Sequence, residues 1–84
     1  MNTPTPSLSK AISAEIRAEL ARKQLDAKAL LPVLELSKNT IYSRVKGDTD
    51  FTTAEISKVA HFFGLTEYDL IDAAQKTSSR GAAA

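Results

Sequence analysis

The sequence predicts an all-α fold, a compact domain of five helices. Apolar residues recur at helical spacing in each patterned segment, and no stretch shows the alternation typical of a β-strand. Four segments also begin with one shared unit, in which an apolar residue, a capping residue, three further residues and another apolar residue follow in order. The units are Leu25-Asp26 to Leu30, Leu36-Ser37 to Ile41, Phe51-Thr52 to Ile56, and Leu65-Thr66 to Leu70. Each unit matches an N-cap with a hydrophobic staple and therefore marks a helix start.

Length and composition favour a single small domain. The chain has 84 residues, of which 43% are hydrophobic and 25% are charged, as is ordinary for a soluble globular protein. A large enzyme with an enclosed cavity is not expected at this size. The sequence has no cysteine and one histidine, His61, which excludes disulfides and disfavours a zinc site of the usual kind. We therefore expect neither a metal nor a cofactor.

The two ends lack the pattern of the middle. Thr3 to Ser7 carries two prolines, and Lys76 to Ala84 is small and polar. We expect residues 1–7 to form a flexible arm, residues 8–75 the folded domain and residues 76–84 a disordered tail. The start Met1 to Pro6 lacks the basic and apolar regions of a signal peptide, and no apolar run approaches the length of a membrane span. The expected compartment is the cytoplasm, without membrane contact.

The first helix is predicted over about Leu8 to Lys23, where apolar residues stand at four-residue intervals and most charges lie outside. The second helix follows Asp26, and Pro32 falls inside it. An interior proline removes one backbone hydrogen bond and costs ~3 kcal/mol in a regular helix. We therefore expect a kinked, short or 3₁₀-like second helix.

The third helix is predicted over about Lys38 to Lys46, between an N-cap at Ser37 and a left-handed stop at Gly47. Ile41 and Val45 fall on one face of this helix, while the opposite surface is polar and basic. An apolar face this narrow cannot hold a helix in water, so neighbouring helices must dock it.

The turn before the third helix is short, because only about Glu35 and Leu36 separate it from the second helix. This is helix-turn-helix geometry. The alternative is an ordinary helical hairpin in a bundle, but such a helix commonly buries a wider stripe and mixes acids with bases outside. The stretch from Lys38 to Lys46 contains no acid, which favours DNA binding over a purely structural role.

The fourth helix is predicted over about Thr53 to Phe63, with apolar residues at the i, i+3, i+4, i+7 spacing and a stop at Gly64. The fifth is predicted over about Glu67 to Gln75 and buries Leu70. An acid stands at the third helical position in both, which predicts two capping boxes. These are Thr52 with Glu55, and Thr66 with Asp69.

The charge is unevenly distributed along the chain. Through Gly47 there are eight Lys or Arg residues against four acids, a net charge of 8 − 4 = +4. From Asp48 onward three basic residues face six acids, a net charge of 3 − 6 = −3. A basic first half suits contact with phosphate, although ordinary solvated surfaces explain so small an imbalance equally well.

With these elements in place, Leu25 to Leu70 resembles the helix-turn-helix domain of the lambda-repressor-like and Cro-like regulators of phages and bacteria. The residues that carry the resemblance are Leu30-Leu31, Leu34, Leu36-Ser37, Thr40 to Gly47, Phe51-Thr52 and Ile56 to Thr66. The resemblance implies a transcription regulator of the repressor type, acting in the bacterial cytoplasm or nucleoid. It also implies that the protein binds double-stranded DNA with the third helix in the major groove. No segment after Gln75 is patterned as a second domain, which favours a Cro-like or compact phage immunity repressor.

Three positions depart from the family pattern. Glu35 stands where the family favours glycine, so either a residue with a side chain accepts a left-handed conformation or the turn differs. Leu31 stands where a small residue is usual, and Pro32 interrupts the second helix. A phosphate contact that the family often makes through glutamine is not available from Ala27.

The outward side chains of the third helix suit different contacts with DNA. The predicted base-reading residues are Lys38, Asn39, Tyr42 and Ser43. Asn39 and Ser43 are the favoured base readers, because asparagine can form two hydrogen bonds with adenine and serine is a short hydrogen-bond donor. Tyr42 can equally pack on the protein's own surface. The predicted contacts to the DNA backbone are Arg22, Lys23, Lys28, Ser37, Thr40, Arg44 and Lys46.

Two other functional classes stay open. An antitoxin or protein-interaction adaptor could use the same scaffold, and co-purification with a partner protein would identify it. An enzyme is the least supported class, because the sequence has no nucleophile with its base, no paired carboxylates in a cleft and no phosphate-binding glycine loop. A homodimer through the fifth helix and Phe62 is a candidate assembly, with a monomer as the alternative. No small-molecule ligand is indicated.

Overall fold

Helix α1 spans Leu8–Arg22 and ends one residue earlier than the sequence predicts. The computed structural model describes the backbone of residues 7–83 and the side chains of residues 7–76. The Ser7 hydroxyl caps α1 by accepting the N–H of Lys10 at 3.2 Å. After the C-cap at Lys23, Gln24 takes a left-handed conformation with φ 58°.

The second helical segment is short and begins as a 3₁₀ turn, as predicted. The turn covers Ala27–Leu30 and continues into α2 at Leu31–Leu34. The Asp26 carboxylate caps the turn by accepting the N–H of Lys28 at 2.9 Å. Pro32 lies in the first turn of α2, where a backbone N–H has no helical acceptor to lose. The proline therefore starts α2 instead of kinking a longer helix.

The turn between α2 and the next helix is made by a non-glycine residue in the left-handed conformation. Glu35 has φ 56° and ψ 38°, and its N–H donates to the carbonyl of Leu31 at 2.9 Å. Leu31 is accommodated half-buried against the core. Of the two arrangements that the sequence leaves open at Glu35, the structure adopts the strained left-handed one.

Helix α3 spans Lys38–Lys46, as the sequence predicts. The Ser37 hydroxyl accepts the N–H of Thr40 at 3.2 Å, and Gly47 ends the helix with φ 92°. Ile41 and Val45 form the buried face, with exposed fractions of 0% and 8%. The narrow apolar face is thus fully docked.

Helix α4 spans Thr53–Phe62 and α5 spans Glu67–Ala83. Both predicted capping boxes are present, at Thr52 with Glu55 and at Thr66 with Asp69. Helix α5 continues beyond the end near Gln75 that the sequence predicts. Residues 1–6 and Ala84, and the side chains after Lys76, lie outside the described residues. The flexible arm and the disordered tail stay predictions, and the backbone of residues 76–83 is helical.

One hydrophobic core joins all of these elements. Helix α1 packs along α5 on one side and against α3 on another, while α2 packs on α4. The fully buried hydrophobic side chains of the core are Ile16, Leu30, Ile41, Val59, Ala60, Leu70 and Ala74. Five α-helices and no strand within residues 7–83 confirm the predicted all-α fold. No helix in the described part of the chain is long and apolar enough to cross a membrane.

Candidate nucleic-acid interface

The outer face of α3 is polar and open to solvent. Lys38, Asn39 and Lys46 are exposed, and the side chains of Tyr42 and Ser43 are half-buried. The buried pair Ile41 and Val45 fixes the rotation of α3, so these polar groups point away from the core. The predicted base-reading residues therefore share one accessible surface.

A shallow polar depression of about 230 Å³ lies on this surface. It is lined by four residues of α3, namely Asn39, Thr40, Ser43 and Arg44, and by Thr49 from the following loop. The loop is folded back because the N–H groups of Asp48 and Thr49 both donate to the Ser43 carbonyl, at 3.0 and 3.3 Å. Sequence reasoning missed Thr49, because its place depends on this fold-back after Gly47.

Two predicted base-reading residues contact each other. The Lys38 ammonium lies 5.7 Å from the centroid of the Tyr42 ring, within cation–π range. The ring thus holds a positive charge at the N-terminal end of α3. Packing on the protein's own surface, the alternative considered for Tyr42, is in part realised through this contact.

The N-terminus of α3 is capped by the Ser37 hydroxyl, which also bonds the Thr40 hydroxyl. The Ser37 hydroxyl accepts the N–H of Thr40 and donates to the Thr40 hydroxyl at 2.8 Å. Both side chains, predicted to contact the DNA backbone, are thus already paired with each other. Amides in the first turn of a helix have no helical acceptor and favour anions, which suits a phosphate at this end.

The C-terminus of α3 is held by side chains of α1. Lys10 Nζ donates to the Gly47 carbonyl at 3.0 Å, Ser13 Oγ to the Arg44 carbonyl at 3.0 Å, and the Arg17 guanidinium to the Val45 carbonyl. Carbonyls at a helix C-terminus lack helical donors and attract cations. Sequence reasoning missed these three residues, because nothing in the local pattern of α1 shows which carbonyls it will meet.

Arg44 is joined to the start of α4. Its Nε donates to Glu55 Oε1 at 2.8 Å, and its Nη1 donates to the Thr49 hydroxyl at 3.1 Å. Only 19% of the Arg44 side chain and 13% of the Glu55 side chain are exposed. Burial raises the pKa of Glu55, but hydrogen bonds from Arg44 and from the Thr52 N–H outweigh it, so the pKa lies below its ordinary value.

The remaining predicted backbone contacts lie outside the depression. At the end of α1, Arg22 pairs with Glu15 and Glu19 at 2.6 and 2.7 Å, and Lys23 pairs with Glu19 at 3.2 Å. Lys28 is exposed at the 3₁₀ turn. The exposed Lys46 lies 3.6 Å from Asp48. Of the basic residues predicted to meet phosphate, the structure brings only Arg44 to the depression.

Comparison with known proteins gives structural likeness only. No protein-family model and no curated protein matches the chain. A crystal structure of the clp gene regulator ClgR from Corynebacterium glutamicum is similar, with 22% sequence identity and a TM-score of 0.85 over 95% of this chain and 85% of that one. A second crystal structure of ClgR is similar at 21% identity and a TM-score of 0.74, over 86% of this chain and 94% of that one. The all-α fold of this chain is therefore one that a gene regulator also has.

Proposed function

We propose that this protein is a transcription regulator that binds double-stranded DNA sequence-specifically, with α3 in the major groove. The observation that carries the proposal is the outer face of α3, which is basic, free of acids and rich in hydrogen-bonding groups around a shallow depression. An α-helix with such a face fits the major groove. The fold shared with the gene regulator ClgR supports the proposal.

The kind of regulator is a finer part of the same proposal. The motif pattern of Leu25 to Leu70 supports a Cro-like or compact phage immunity repressor acting in the bacterial cytoplasm. A low-identity likeness to ClgR shows that the same fold also serves a regulator of clp genes. The geometry of α3 therefore supports DNA binding, and the motif resemblance supports a repressor.

Within the interface, exposure and existing bonds separate the proposed roles. Asn39 is exposed and lines the depression with Ser43, which supports the proposal that both read base edges. Lys38, held over the Tyr42 ring, reads a base or approaches phosphate at the N-terminal end of α3. Lys28, Lys46, Ser37 and Thr40 contribute backbone contacts. Arg22 and Lys23 would have to leave their ion pairs with acids of α1 to do the same.

Selection of bound duplexes from a random pool tests the proposal directly. The expected result is one enriched motif, because base-edge contacts discriminate sequences by roughly 1 to 3 kcal/mol for each good pair. Affinity for the enriched duplex should fall as salt rises, since each neutralised phosphate releases counterions. Recovery of unrelated sequences, bound no better than the starting pool, would contradict the proposed function.

A second copy of the chain is the proposed partner on DNA. One domain presents a single recognition helix, and two-fold assemblies place two such helices on half-sites roughly one helical turn apart. The proposed surface is α5 with Phe62, where Tyr68 is 82% and Phe62 41% exposed. Sedimentation with and without the selected duplex tests this. A dyad-symmetric motif bound by two copies is expected, whereas one copy on an asymmetric motif would contradict it.

An adaptor function is favoured by a different surface. Two adjoining apolar depressions, of about 230 and 220 Å³, lie between the starts of α1, α4 and α5. Their apolar walls come from Leu8, Ile12, Phe51, Ile56, Tyr68 and Ile71. Ile12, Phe51 and Ile56 are buried, so the apolar surface offered to a partner protein comes chiefly from Leu8 and Tyr68, which are 46% and 82% exposed. Stoichiometric co-purification of a partner with a chain that selects no duplex would favour the adaptor over the DNA-binding regulator.

A further inference from the structure

Arg44 is the point at which α1, α3, the loop after α3 and α4 meet. Its carbonyl accepts the Ser13 hydroxyl, and its guanidinium reaches Thr49 and Glu55. A solvated phosphate-binding arginine is usually free to extend toward the DNA. Here the guanidinium is instead enclosed by the protein, with one fifth of the side chain exposed.

The Glu55 carboxylate accepts hydrogen bonds from two parts of the protein at once. Its Oε1 accepts the N–H of Thr52 at 2.9 Å, which completes the capping box of α4, and also accepts Nε of Arg44 at 2.8 Å. Its Oε2 lies 3.4 Å from Nη2 of Arg44. One carboxylate therefore ties the C-terminal half of α3 to the first turn of α4.

We propose that Arg44 and Glu55 form a positioning pair, which sets the angle at which α3 presents Asn39 and Ser43 to DNA. The inference rests on the proposed function and replaces, for Arg44, the phosphate contact expected from its charge. A guanidinium has five N–H donors, and three are directed at Glu55 and Thr49. The adjacent carboxylate also offsets the positive charge that would otherwise attract a phosphate.

The substitution Glu55→Gln isolates the pair, because glutamine keeps the size of glutamate and also completes a capping box. We expect affinity for the selected duplex to fall roughly three- to thirtyfold, a range typical of coupled neighbouring residues. Affinity for a random duplex should stay equal or rise, because an acid near the DNA has been removed. A specific loss against a nonspecific gain is a result that simple destabilisation of the fold does not produce.

Asp50→Asn is the matched control. Asp50 is an exposed acid in the loop between Gly47 and Thr52. Its neutralisation removes the same charge near the same surface and should raise affinity for the selected and the random duplex alike. If Glu55→Gln raises both affinities as Asp50→Asn does, Glu55 only repels DNA and the positioning role is overturned.

Salt dependence separates positioning by Arg44 from a phosphate contact. We expect Arg44→Gln to weaken selected binding while leaving the slope of log affinity against log salt unchanged. The double variant Arg44→Gln/Glu55→Gln should bind no worse than the weaker single variant. A fall of about 0.9 in the slope for Arg44→Gln would show a lost phosphate contact and overturn the proposal.

Amide hydrogen exchange on the free protein tests the pair without DNA. In Glu55→Gln, the amides of α3 from Ile41 to Gly47 should exchange faster relative to those of α1, whereas Asp50→Asn should leave them unchanged. Unchanged exchange of α3 in Glu55→Gln would overturn the pair. If the parent selects no duplex, the proposed function fails, and this measurement still decides whether the pair positions α3.

Discussion

At the scale of single residues, the bonds that a side chain already makes decide what it can still do. Arg44 and Lys46 are both basic residues near the end of α3, and the sequence assigns both to phosphate. The structure holds Arg44 against Glu55 but leaves 71% of the Lys46 side chain exposed, with only a long contact to Asp48. Lys46 is therefore the better candidate for a phosphate contact.

The first prediction is that Lys46→Ala weakens binding to all duplexes to a similar degree. A phosphate contact positions a protein without reading sequence, and its loss should lower the salt slope by about 0.9. Titrations of the selected and a random duplex at several salt concentrations measure this. Loss confined to the selected duplex, with an unchanged slope, would instead make Lys46 a base reader.

The second prediction concerns backbone strain at Glu35. The left-handed conformation is costly for a residue with Cβ, so Glu35→Gly should raise the free energy of unfolding by about 0.5 to 1 kcal/mol despite the greater freedom of glycine in the unfolded chain. Urea unfolding measures the change. Glu35→Ala is the control, since alanine keeps Cβ and should show no gain. A glycine variant no more stable than the alanine variant would contradict strain at this turn.

The left-handed conformation of Gln24 could not be predicted from the sequence. Its φ of 58° is as unusual as that of Glu35, yet no local motif marks it. Glu35 stood out only because the regulators that the sequence resembles favour glycine at that place. A left-handed residue is dictated by the path between two packed helices, so its own side chain does not reveal it.

At the scale of elements, helix starts were the most predictable features. The start of α3 and both capping boxes follow from residues within five positions of each helix start, because caps are local hydrogen bonds, and Gly47 marks the end of α3. The short, 3₁₀-like second segment was predicted from Pro32, but the sequence placed this proline inside a helix, whereas it lies in the first turn of α2. The contacts that orient α3 were not predictable, because Ser13 and Arg44 are 31 residues apart in sequence.

The third prediction is that Ser13→Ala lowers the free energy of unfolding by about 0.5 to 1.5 kcal/mol. Ser13 of α1 is 1% exposed, and its hydroxyl donates to the Arg44 carbonyl. Removal of this hydroxyl therefore leaves that carbonyl at the end of α3 without its buried donor. Ser9→Ala on the same helix is the control and should be neutral or slightly stabilising. Equal effects of the two variants would show that the bond to α3 contributes nothing.

The fourth prediction is an acid-sensitive contribution from Glu55. Its pKa is lowered in the folded state, so the stabilisation is present above the unfolded pKa and is lost as pH falls through the folded pKa. The free energy of unfolding should therefore decrease between about pH 5 and pH 3. Urea unfolding at several pH values should show a shallower decrease in Glu55→Gln.

Glu19 limits the size of that difference. Its hydrogen bond with Arg22 also lowers its pKa, so part of the acid sensitivity remains in Glu55→Gln. Glu19→Gln should flatten the profile further, since α1 then loses its own acid-sensitive pair. A parent and a Glu55→Gln variant with parallel pH profiles would contradict a depressed pKa at Glu55.

At the scale of the whole molecule, the fold holds α3 in place so that its polar face is presented to solvent. Helix α1 grips the C-terminal carbonyls of α3, α4 holds Arg44, and the core buries Ile41 and Val45. The helices and the polar face of α3 could be predicted from the sequence, whereas the contacts that α1 and α4 make with α3 could not. The depression itself, which Thr49 helps to line, could not be foreseen because Thr49 reaches it only once the loop folds back onto α3.

Substitution of Asn39 by alanine, Asn39→Ala, tests whether the polar face of α3 reads DNA sequence. The measurement is the affinity of the parent and of Asn39→Ala for the selected duplex and for each of its single-base variants. We expect Asn39→Ala to lose ~1 to 3 kcal/mol of discrimination at one base pair and to keep the parent's preferences elsewhere. An Asn39→Ala variant that ranks and binds every duplex as the parent does would contradict the account.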